Sequence, residues 1–157
     1  MRKSLLSIPT AEPATPETAW LNLEEVARVE VTSEAPDHPI EHALLSPEGG
    51  GWVASGPGEQ IIRLTFDQPQ RIQRVRLLFE EHAVGRVQQF VLRWSAAPGD
   101  SFREIVRQEF VFSPPGTVRE LEDYRVDLHA VKALELAIVP EKSGGPSRAS
   151  LAKLQLA

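Results

Sequence analysis

The chain has 157 residues, no cysteine and a formal net charge of −5 at pH 7, a length that makes one domain burying roughly 70% of its unfolded surface without staples. Lacking cysteine, it forms no disulfide, thiolate metal site, iron–sulfur cluster or catalytic thiol. Its acidic balance disfavours a dedicated nucleic-acid binder, whose affinity rests on excess Lys and Arg.

The opening MRKSLLSIPT is basic, but its apolar residues Leu5, Leu6 and Ile8 stop at Pro9, too short a run for a signal-peptide core. No stretch approaches the 18 or so apolar residues of a membrane span. Together with the missing cysteines this predicts a soluble chain in the cytoplasm. Pro9, Pro13 and Pro16 rule out a regular helix, so residues 1–22 read as a flexible tail or linker and residues 23–157 as the domain. Trp20, beside Leu21 and Leu23, is expected to dock on the core. Val26, Val29 and Val31 begin a strand over 25–33, and the turn residues from Ser33 to Asp37 end it. Residues 39–45 predict a short helical turn. The glycines at 49, 50 and 51 mark backbone that bends sharply or passes close to something, and Trp52 opens a short strand over 52–55 with its ring in the core.

In the next stretch Ile62, Leu64 and Phe66 alternate with Ile61, Arg63 and Thr65, and Val75, Leu77 and Phe79 alternate with Arg74, Arg76 and Glu80. This is the two-residue period of strands with one buried face, and Asp67-Gln68-Pro69-Gln70 between them predicts a hairpin. Strands follow at 87–95, with Phe90, Leu92 and Trp94 on one face, and at 102–112. Tyr124, Val126 and Leu128 mark another, Leu134, Leu136 and Ile138 the next, and residues 149–157 the last. Turn-rich segments at 96–101, 113–116 and 141–148 separate them. About nine short strands without a useful helix predict an all-β antiparallel sandwich. Arg63, Arg74, Arg76 and Arg93 fall at outward positions, where several are expected to share one exposed surface and keep it soluble rather than bind nucleic acid.

Enzymatic arrangements are missing. The acidic pairs Glu24-Glu25 and Glu80-Glu81 are neighbours whose side chains diverge on a strand, unlike paired carboxylates facing a cleft. Gly49-Gly50-Gly51 lacks the lysine of a phosphate-cradling loop, and Ser55-Gly56-Pro57-Gly58 sits in no nucleophile elbow.

Several pieces, in order, resemble the discoidin or coagulation-factor type C domains of the galactose-binding-like sandwich folds. They are 41–45 leading to Gly51-Trp52-Val53-Ala54-Ser55, then Gly58-Glu59-Gln60-Ile61-Ile62-Arg63-Leu64 with Gln68-Pro69-Gln70-Arg71-Ile72, then Val91-Leu92-Arg93-Trp94-Ser95 before a Pro-Gly-Asp turn, and Ala149-Ser150-Leu151-Ala152-Lys153-Leu154. The resemblance covers about residues 25–157. It implies a jelly roll of about nine strands that is not an enzyme and binds carbohydrate, lipid head groups or proteins. Intracellular relatives act as scaffolds, so the fold fixes no single ligand.

The resemblance also implies that the termini share one end. Segments 34–51, 56–59, 81–86, 113–120 and 141–148 then meet at the other, where the family binds. His38, His82, Arg86, Arg119, Lys142 and Arg148 are the candidate ligand-binding residues there, since guanidinium groups and imidazoles hydrogen-bond paired hydroxyls, carboxylates and phosphates. The bland alternative for each is a solvated loop residue. These loops carry no Trp, Tyr or Phe on which a sugar could stack. Many carbohydrate-binding relatives hold a structural calcium before the tryptophan. Here the family's Asp-Gly is replaced by Leu44-Leu45-Ser46-Pro47-Glu48-Gly49, leaving Glu48 as the one local acid for an ion that wants six to eight oxygens. The reading is a non-catalytic module for carbohydrate or a similar polyhydroxyl or anionic ligand, and the alternative is an intracellular protein-interaction domain.

Overall fold

The computed structural model describes residues 20–45, 50–97 and 101–157, so most of the expected tail lies outside the described residues. These form two short helices, α1 (Leu23–Val26) and α2 (Glu41–Leu44), and eight strands. The strands are β1 (Ala27–Val31), β2 (Trp52–Pro57), β3 (Gln60–Glu80), β4 (Arg86–Ser95), β5 (Arg103–Phe112), β6 (Arg119–Val139), β7 (Arg148–Leu151) and β8 (Lys153–Leu156). Every strand pair is antiparallel. Pairing runs β1-β3-β6-β4-β5, with β8 also on β3, and β2 and β7 form a separate ribbon. The all-β jelly-roll sandwich expected from the sequence is the architecture found.

The hairpin expected at Asp67–Gln70 does not form. β3 passes through it as one strand of 21 residues, and β6, expected as two strands, is also one of 21. Laid straight, each would reach about 70 Å, whereas a domain of this length is about 40 Å across, so both must bend. They bend together where the register slips, between Thr65 and Arg74 of β3 opposite Ala133 and Arg125 of β6. Pro69 is tolerated at this irregularity because no ladder bond is asked of its nitrogen. The closing strand expected at 149–157 is split at Ala152, β7 joining β2 and β8 joining β3. Nine expected segments thereby become eight strands among the described residues.

Bending turns one hydrogen-bonded network into two layers. The first holds β1, the first half of β3, the second half of β6, β4 and β5; the second holds β8 with the remaining halves of β3 and β6. Phe79 and Phe90, on strands that share no ladder, stack across the gap with centroids 5.2 Å apart. Ile62, Leu64, Phe66, Val75, Leu77 and Phe79 alternate inward along β3 and are buried, as are Trp52, Leu92, Leu134, Leu136 and Ile138.

The two ends of the described chain lie together, the Leu21 amide donating to the Leu156 carbonyl at 2.7 Å. At the opposite pole Pro57 pairs with Arg148, Glu80 with Arg119 and Arg86 with Phe112, so the connections after β2, β3, β5 and β6 converge there. The connection between β1 and β2 only starts and finishes at that pole. Its middle runs down the side, where Ala43, Leu44 and Leu45 line one hollow with Trp20, Leu21 and Lys153. Gly51, at φ +84°, bears out the expected close approach, since a Cβ there would come 2.5 Å from the Leu151 carbonyl oxygen.

The outward arginines do not share one surface, because the bend sends them to opposite sides. Arg63 and Arg93 meet at Glu135 on the first layer, while Arg74 and Arg76 meet at Asp123 on the second. Trp20 docks on this second outer face rather than in the core, with the Arg74 and Arg76 guanidinium carbons 4.9 and 5.3 Å from its ring centroid.

Candidate functional site

The loop pole is held from inside by Arg86. On β4 it stands in phase with Gln88, Phe90 and Leu92, positions of one strand face, so its side chain points inward and is 1% exposed. Its Nε donates to Glu81 Oε1 at 2.7 Å, and its Nη1 to the Pro140 carbonyl at 2.7 Å and to Gln88 Oε1 at 3.1 Å. The guanidinium carbon lies 4.8 Å from the Phe112 ring centroid. One side chain thus ties the connections after β3 and β6 to the end of β5. Burial works to raise the Glu81 carboxyl, but hydrogen bonds from Arg86 and from the Ala83 and Val84 amides outweigh it and hold the group below its usual range.

Behind Arg86 the polar chain continues inward. Gln88 Nε2 donates to Glu120 Oε1 at 3.1 Å, and Glu120 Oε2 has no hydrogen-bond partner among the described residues. Burial, reinforced by the neighbouring Glu122, pushes the Glu120 carboxyl up to about 8, so it is protonated at neutral pH. Tyr124, next on the same strand face, is raised by burial and by both glutamates, and its buried hydroxyl is unpartnered among the described residues. Gln88 and Glu120 are buried and form no part of the accessible surface of the pole.

The accessible part of the pole is a hollow of about 290 Å³ on its other side, lined by Gly50, Val53, Glu80, His82, Ser150 and their neighbours. His82 is 67% exposed with Nε2 3.2 Å from Glu80 Oε2, and Glu80 faces Arg119 in the β3–β6 register. Val53 pairs with Ser150, and Arg148, two residues before Ser150, shares its face of β7. The His38 carbonyl accepts from the Val53 amide at 3.2 Å.

Of the six predicted ligand-binding residues, His82 lines this hollow, His38 and Arg119 pair through the backbone with its Val53 and Glu80, and Arg148 lies two residues before its Ser150 on β7. Lys142 stands apart, its Nζ paired with a Glu109 carboxylate oxygen, and Arg86 is sealed inside. Glu48 lies outside the described residues. Among the described residues no three His, Asp or Glu side chains cluster as metal ligands. No aromatic ring lines the hollow among the described residues. The sequence reading missed the inward chain of Gln88, Glu120 and Glu122, although the signal was present: each keeps step with core residues of its own strand.

No protein-family profile matches the sequence, and no curated protein matches it. Solved structures do match. One is a GH29 fucosidase mutant of Ruminococcus gnavus in complex with fucose, with a TM-score of 0.64 at 10% identity over 87% of this chain and 26% of that one. A second is the CBM32 module of AlyQ in complex with 4,5-unsaturated mannuronic acid, with a TM-score of 0.61 at 15% identity over 85% of this chain and 95% of the module. A third is CBM32-3 from a family 31 glycoside hydrolase of Clostridium perfringens, with a TM-score of 0.64 at 15% identity over 87% of this chain and 93% of the module. The discoidin-like fold is established. The chain spans about a quarter of the fucosidase and nearly the whole of each separate module.

Proposed function

We propose that this chain is a non-catalytic carbohydrate-binding module that takes sugar hydroxyls in the hollow at the loop pole. The observation carrying this reading is the near-complete coverage of CBM32 modules solved as separate chains, 95% and 93% of their lengths. Matched modules are in complex with 4,5-unsaturated mannuronic acid, galactose and GalNAc-β-1,3-galactose. In the hollow, His82 supplies an exposed donor and Glu80 an acceptor, a mix suited to vicinal hydroxyls, with Arg119 and Arg148 on the flanking strands adding planar guanidiniums. The buried Arg86 cluster fixes the loops that carry them, so little ordering entropy is lost on binding. What the hollow lacks is an aromatic platform, which favours a small, shallowly held sugar and weak affinity.

A glycan array followed by calorimetry tests this. Binding to at least one neutral oligosaccharide is expected, weakened about tenfold by His82→Ala or Arg148→Ala, the loss of one hydrogen bond each. Binding to no glycan on the array would overturn the proposal and favour a protein ligand at the same pole.

A further inference from the structure

We propose that the outer face of the first layer carries a second site, a groove for an acidic sugar residue, separate from the hollow at the loop pole. β1 and β3 present Arg28, Glu30, Arg63 and Thr65 outward there. Phe102, just before β5, reaches back across the two intervening strands β4 and β6 to set its ring 5.6 Å from the guanidinium carbon of Arg63 on β3. The bends of β3 and β6 raise the remaining wall, Asp67 and Lys132. The groove so enclosed is about 580 Å³, within the several hundred Å³ typical of small-ligand sites.

Its charges are set out for a ligand. Lys132 Nζ donates to the Asp67 backbone carbonyl at 3.0 Å and has no carboxylate partner among the described residues. Arg28 and Glu30 form no ion pair among the described residues either. Arg63 gives Nε and Nη2 to Glu135 Oε2 at 3.0 and 2.9 Å, and Arg93 reaches Glu135 Oε1 at 3.4 Å. Two arginines on one carboxylate leave a positive charge over, while Arg28 and Lys132 offset Glu30 and Asp67. The groove therefore favours a singly charged anion, and its two free carboxylates ask for hydroxyl donors. Phe102 supplies the apolar face that the loop pole lacks. One acidic group, several hydroxyls and an apolar ring face together describe a hexuronic acid. Rigid strands hold most of the wall, which favours precise placement.

The choice of a sugar rests on the proposed function, but the place does not. Calorimetry on the full chain with trigalacturonate and with its neutral methyl ester separates the two. Trigalacturonate is expected to bind about tenfold more tightly than the ester. Phe102→Ala and Lys132→Gln should each abolish that preference, while His82→Ala and Arg148→Ala leave it intact; thermal melts certify that each variant is folded. Dependence on the groove residues supports the proposal even if no neutral glycan binds the loop pole. Trigalacturonate binding that ignores Phe102 and Lys132, or no binding while neutral glycans still bind through His82, overturns this inference and spares the proposed function. No binding of any sugar overturns both.

Discussion

Two arginine clusters in this chain use the same groups in opposite surroundings. Arg74 and Arg76 share Asp123 on an outer face, with Asp123 31% and Arg76 35% exposed, whereas Arg86 is 1% exposed and meets Glu81, Gln88, a carbonyl and an aromatic ring. Water competes for the first cluster and is excluded from the second. Loss of the exposed cluster is expected to cost little, whereas the buried one becomes a liability if any member is removed, because the partners left behind stay desolvated.

Arg86→Ala is the largest test of that contrast. It strands Glu81 and Gln88 and loosens three loops, so a loss of about 3–5 kcal/mol in urea unfolding is expected. A loss below that of an ordinary surface change would mean that water enters the cluster.

Glu120 gives the next largest effect, and its sign is opposite to that of most carboxylates. Its folded value, about 8, lies above its ordinary 4.5, so the folded state holds a proton that the unfolded chain releases. The stability this confers is complete below pH 4.5 and disappears as pH rises through about 8. Glu120→Gln, which keeps an acceptor for Gln88, is expected to leave the pH 5 melt little changed and to stabilise the protein by several kcal/mol at pH 9. Parallel stability curves for the two proteins would show that Glu120 ionises freely.

Asp123 behaves conventionally. Hydrogen bonds from Arg74, and then Arg76, overcome its partial burial and hold it at about 2, so its contribution is present above its ordinary 3.8 and lost as pH falls through about 2. Asp123→Asn should flatten this acid limb and cost about 1 kcal/mol at neutral pH, less in high salt. Trp20→Ala sits at the small end, about 0.5–1 kcal/mol for two exposed cation–π contacts, and a larger loss would place Trp20 in the folding core after all.

Much of the candidate site was legible in residue order. The convergence of most connecting segments opposite the termini was implied by the family resemblance together with antiparallel strand order, and Arg119 and Arg148 begin strands at that pole with His82 in the connection after β3. The phase of Arg86 with Phe90 and Leu92 was equally readable, and taken at its word it points the guanidinium inward. Lys142 was harder, since its carboxylate partner, Glu109, comes from a strand 33 residues away.

By itself, then, the sequence determined which face of every strand is oily, because alternation is local and each residue carries its own hydrophobicity. It could not decide whether Asp67–Gln70 turns back or merely bends. That choice depends on whether β6 lies alongside to receive both halves of β3, a pairing made across some sixty residues of chain. The same bend divided the arginines between two faces and opened the groove beneath Phe102. Side-chain phase is inherited from the order of residues, while the neighbours across a sheet and between layers exist only once the chain has closed on itself.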